Sequence, residues 1–150
     1  MSSRRPALTP EARARAAAWR GRAAPDAADL AALAEDAFAR LPETVRAAVA
    51  DVAIMVQDLA DDDDLAAVGL DDPYRLLGLY SGVHIGEAAG IAAPADANRI
   101  LLYRLAILDY WADHEETLDH LVAHVLIHEI GHHLGLSDDD MERIEAAAAD

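Results

Sequence analysis

The chain of 150 residues contains no cysteine. That absence removes disulfides, thiolate nucleophiles and every Cys-ligated zinc or iron–sulfur site. Lysine is absent too, so all 12 basic residues are arginine. Aromatic residues make up only 5% of a chain that is 53% apolar, which leaves alanine to fill much of the apolar fraction. No apolar run approaches the roughly 18 residues a membrane-spanning helix needs, so no membrane partner is expected. Positive charge is scarce: 28 acidic residues give a net charge of −16. Such a charge argues against nucleic acid as a partner of the main body. What is abundant is histidine, with seven residues, five of them between 120 and 133. The length suits one domain with its own core.

The charge is unevenly placed. Residues 1–25 hold Arg4, Arg5, Arg13, Arg15, Arg20 and Arg22 against the single acid Glu11. We read them as a basic, alanine-rich arm, and residues 26–150 as the folded domain. Thr9 and Pro10 open a helix in the arm as N-cap and first helical residue. That helix has little to bury, so it is expected to be mobile or loosely docked. Arg4-Arg5 begins like a twin-arginine export signal, but the apolar stretch that should follow is broken by four arginines. A cytoplasmic location is expected, with an Arg-rich, acid-poor transit peptide as the alternative reading of the arm. Attraction of the arm to the acidic body is the plain reading of its charge; docking on nucleic acid or an acidic partner is the sharper one.

Asp26 caps a second predicted helix, to about Leu41, with Leu30, Leu33, Ala34, Ala37, Phe38 and Leu41 at helical spacing. Pro42 restarts a short helix through Val49. Val52–Gln57 reads as a strand, Asp61–Asp64 as a solvated turn lacking the glycine and closing glutamate of a calcium loop. Short helical turns are expected around Pro73. Leu79–Val83 and Arg99–Leu105 read as two more strands, with a loop at 86–98 between them. Asp113 to Glu116 has the form of a capping box, which predicts a helix from there to Leu134 with Gly135 as its stop. Ser137 or a following aspartate would cap a last helix, Met141 to Ala149.

The chemistry concentrates in His128-Glu129-Ile130-Gly131-His132-His133-Leu134-Gly135-Leu136-Ser137-Asp138. Residues four apart stack on one helix face, so His128 and His132 can offer two imidazoles to one ion. Glu129 lies beside that face, where a general base reaches a metal-bound water without becoming a ligand. A catalytic zinc needs a third protein ligand and an open position. Gly135 can turn the chain back, after which Asp138 can supply a carboxylate. Asp138 also suits the N-cap of the last helix, and Asp139 is the next candidate ligand. His120 and His124 continue the series up the helix, as cleft-lining residues, a further ligand or, by default, merely exposed residues. His133 lies off the stripe. His84 and His114 read as surface residues, and Trp19 and Trp111 as packing ones. Tyr80, Tyr103 and Tyr110 are each candidates to steady an oxyanion. Gly131 inside the helix costs about 1 kcal/mol against Ala, which close approach of a neighbouring backbone or tight packing would explain.

Over roughly residues 26–145 the chain resembles the bacterial minimal metalloproteases, a small zincin-like group. The likeness rests on the histidine motif with Gly135 and Asp138, on Leu77–Val83 and on Arg99–Arg104. It implies a small α+β domain with about three strands packed against the motif helix and further helices around it. It implies zinc on His128, His132 and Asp138, and Glu129 as the base of a peptidase acting on a peptide or protein. No Met-turn is visible, since Met141 follows Asp138 too closely, so close kinship to metzincins is not expected. A substrate strand is expected along a sheet edge, with Arg99–Leu105 the candidate. The alternative is a non-catalytic zinc-binding interaction module of the same fold.

Overall fold

A computed structural model of the chain describes residues 4–82 and 98–149. The elements run α1 (Pro10–Trp19), α2 (Ala27–Ala39), α3 (Glu43–Ala48), β1 (Ala53–Gln57), α4 (Asp62–Ala67), a 3₁₀ turn (Pro73–Arg75), β2 (Gly78–Ser81), β3 (Arg99–Tyr103), α5 (Arg104–Asp113), α6 (Leu118–Leu134) and α7 (Asp138–Ala148). The architecture is the expected α+β arrangement around a three-stranded mixed sheet of order β1-β3-β2. β1 runs parallel to β3, from Ala53 opposite Arg99 to Gln57 opposite Tyr103. β2 runs antiparallel on the other side, from Gly78 opposite Leu102 to Ser81 opposite Arg99. None of the described helices is long and apolar enough to cross a membrane.

β3 is central because both of its faces are apolar. Side chains alternate across a strand. Ile100 and Leu102 join the main core with Leu30, Ala34 and Ala37 of α2 and Val122, Leu126 and Ile130 of α6. Leu101 and Tyr103 join a second cluster with Leu65 of α4 and Ala106 of α5. α2 starts with reciprocal bonds between Asp26 and Asp29, each 2.9 Å from the other's backbone nitrogen. In α1, Thr9 accepts from the Ala12 N–H at 3.1 Å, as its N-cap position requires. α1 buries none of its residues, since alanine and arginine alternate without an apolar face.

Several sequence expectations are corrected. β3 stops at Tyr103, and residues 104–113 form a helix with no side-chain N-cap bond to announce it. Arg104 is held there by Asp58 at 2.9 Å and the Pro25 carbonyl at 3.1 Å. Arg99–Leu105 is therefore no sheet edge: β3 is paired on both sides, and among the described residues the outer strands are β1 and β2. The motif helix starts at Leu118 after Thr117, so Asp113 ends α5 and caps nothing. Asp61 caps α4, so the acids that follow are a helix's first turn. α7 begins at Asp138, three residues early, because Ser137 takes the N-cap and forms a capping box with Asp140. Val83, His84 and the predicted loop up to residue 97 lie outside the described residues.

Candidate metal centre

α6 is almost wholly interior. Leu121, Val122, Val125, Leu126, Ile127, Ile130 and His133 are buried on its flanks. The stripe left toward solvent is His120, His124, His128 and His132, one imidazole per turn. His128 and His132 are 38% and 59% exposed, so both can reach an ion from outside while a rigid helix carries them. Gly135 ends the helix at φ 67°, the left-handed conformation glycine adopts without strain.

Glu129 is only 8% exposed, and β2 explains how its carboxylate is held. The Tyr80 N–H donates to Glu129 Oε2 at 2.8 Å. His132 Nδ1 lies 3.2 Å from the same oxygen. β2 can come this close because residue 78 has no side chain. A Cβ there would stand 2.6 Å from Val125 Cγ1 and 3.4 Å from Glu129 Cγ. The part played by Gly78 and the Tyr80 backbone was not anticipated; a glycine inside a strand pattern was the available signal for close approach.

The Tyr80 ring packs on the buried His133 imidazole, centroids 4.7 Å apart, and its hydroxyl donates to Asn98 Oδ1 at 2.9 Å. Burial, with Asp51 adding to it, pushes the phenol above its ordinary pKa. Tyr103 belongs instead to the second cluster, with its hydroxyl on Asp64 at 3.2 Å. Tyr110 stacks on His114 at 3.7 Å. Of the three tyrosines, Tyr80 is the one beside the motif. A cleft of about 450 Å³ lies there, lined by Leu79, Tyr80, Gly131, His132, Gly135 and Leu136.

The expected ligands are not all gathered. His132 turns to Glu129, and Asp138 is exposed in the first turn of α7. His128 turns to Glu145, with Nε2 3.8 Å from Glu145 Oε1. Among the described residues, the metal-ligating side chains whose donor atoms converge are His124, His128 and Glu145, all within 4.8 Å of one another. Glu145 was missed. Its signal was its place on the buried face of α7, four residues from Met141 and three from Ala148. The donor chemistry of this end of α6, imidazoles with nearby carboxylates, fits zinc and other borderline divalent ions.

No curated protein matches the chain. The family model for zincin-like metallopeptidases matches residues 49–148, from the end of α3 through β1, the sheet and the motif helix to the last residue of α7. A matched segment spanning the sheet, the histidine helix and the helix after it covers every element that builds this centre, and the chain belongs to the zincin-like metallopeptidase family.

Proposed function

We propose that the protein is a zinc-dependent peptidase in which His128, His132 and Asp138 hold the ion and Glu129 is the general base. The observation that carries the reading is the placement of Glu129. It is buried, tethered by the Tyr80 N–H and adjacent to His132, which keeps one carboxylate oxygen at a fixed spot beside the imidazole stripe. Zinc, when bound, supplies a Lewis acid and an acidified water. Glu129 takes the water's proton and returns it to the leaving amine. A substrate strand suits the outer side of β2, whose Leu79 and Tyr80 line the cleft with His132. The Tyr80 N–H bond alone gives Glu129 a structural role, but a purely structural zinc site would leave its position beside the imidazole stripe unused, which favours the enzyme over the interaction-module alternative.

The test is Glu129→Gln, which keeps the shape and removes the base. The variant is expected to retain zinc, measured by elemental analysis, and to lose at least about 100-fold in peptide hydrolysis, the low end for general-base catalysis. Turnover equal to the parent's would sink the mechanism.

A further inference from the structure

On the other side of the imidazole stripe from β2, helices α2, α6 and α7 enclose a second cavity of about 390 Å³. His120, His124, Glu142 and Glu145 line it. The αα-hairpin geometry explains why. Gly131 packs on Met141, so one turn back along α6 meets one turn forward along α7, and His128 and His124 come opposite Glu145. His124 Nδ1 is 2.6 Å from Glu145 Oε1, and His128 Nε2 is 3.8 Å from it. The two imidazole rings lie 4.3 Å apart, centroid to centroid. Glu145 Oε1 is buried and accepts no hydrogen bond of good geometry.

Four coordination at about 2.1 Å places donor atoms roughly 3.4 Å apart. The observed separations bracket that value, so small side-chain rotations would close three donors on an ion. The surroundings favour a cation. Glu116, Asp119 and Glu142 share the cavity, and a hydrogen bond from Thr117 holds the Asp119 carboxyl below its usual range. The cavity's one arginine, Arg40, is paired with Asp36.

We propose that His124, His128 and Glu145 form a metal site of their own, for a borderline divalent ion such as Zn²⁺ or Co²⁺. Two imidazoles with one carboxylate suit these ions better than Ca²⁺ or Mg²⁺, which take oxygen ligands. Three protein ligands leave a coordination position for water or an added ligand. The site stands without the peptidase reading, but the two share a residue. His128 Nε2 can bind one ion, so occupancy here withdraws His128 from the pair it makes with His132. The protein would thereby sense excess metal by losing a ligand at its motif.

The experiment is Co²⁺ titration of the full, metal-stripped chain, read by visible d–d absorption and by bound metal after dialysis. His132→Ala/Asp138→Asn destroys the motif set and spares the new one. It is expected to keep about one Co²⁺ per chain, and adding His124→Ala or Glu145→Gln is expected to weaken that binding more than about tenfold. Absence of Co²⁺ from a folded His132→Ala/Asp138→Asn variant overturns the proposal. So does binding indifferent to His124 and Glu145. Far-UV circular dichroism checks folding, and His124→Gln replaces His124→Ala if the latter unfolds. The converse variant, His124→Ala/Glu145→Gln, addresses the motif alone. If it binds no metal, the peptidase reading fails while the new site stands.

Discussion

Gly131→Ala tests the α6–α7 contact on which both candidate metal sets depend. In an exposed helix the change would stabilise by about 1 kcal/mol. Here the added Cβ collides with Met141 Sδ and stands 2.8 Å from its Cγ. Met141 is 4% exposed, and its Cγ sits too close to the backbone to swing away at no cost. Overpacking of this kind costs about 1–3 kcal/mol, so the net effect is a loss of up to about 2 kcal/mol. The decisive measurement is a double-mutant cycle in urea on metal-free protein, which removes any contribution from bound ligand. Met141→Ala alone loses about 2–5 kcal/mol through its cavity. With Met141 truncated, the three atoms nearest the added Cβ are gone and the helix preference of Gly131→Ala returns. The double variant is therefore more stable than the sum of the single losses by about 1–3 kcal/mol. A stabilised Gly131→Ala with additive behaviour would refute the packing argument.

Four further outcomes are expected. Gly78→Ala drives a methyl into Val125, so thermal unfolding should show a loss of about 1–3 kcal/mol, and the Glu129 tether should loosen with it. Ser137→Ala removes the N-cap of α7 and should cost about 1 kcal/mol in urea. Tyr103 has its ionisation pushed up, chiefly by burial and then by Asp64. The unfolded chain gives up that proton near pH 10 while the folded one keeps it. The resulting stability is whole below about pH 10 and falls above it, and Tyr103→Phe should flatten the fall in urea midpoints between about pH 9 and 11. Removing residues 1–20 takes away a helix with no buried residue, so the unfolding free energy should stay within about 0.5 kcal/mol of the parent's.

The motif helix was legible because its evidence was local. Imidazoles at 128 and 132 and a glycine at 135 each carry a rule that holds within one or two turns. The glycine at 131 was recognised as needing a reason, but the reason, Met141, lies in another helix. α5 was illegible because it leaves β3 without a loop or capping side chain, and its apolar residues continue those of the strand. The strand order was hidden for the same kind of reason. A run apolar on both faces announces burial, yet the sequence does not say which two strands flank it. Asp138 was readable as ligand or cap; Ser137 took the cap, which leaves Asp138 exposed in the helix's first turn. Spacing placed Glu145 on the Met141–Ala148 face of α7, but its meeting with His124 and His128 was hidden until the register of α6 and α7 was known.

The order β1-β3-β2 means that, among the described strands, the last in the chain stands in the middle. β1 and β2 cannot pair with each other, and each waits for β3. Ala53 meets Arg99 across a long stretch of chain, whereas α6 and α7 meet through residues 135–137 alone. Local contacts form sooner than distant ones. The imidazole stripe can therefore assemble early, while the backbone tether from β2 to Glu129 waits for the sheet. On the proposed reading, the donors would be ready to take up metal before the base is in place. Half-folded copies of such a peptidase would bind metal without yet cutting the chains around them.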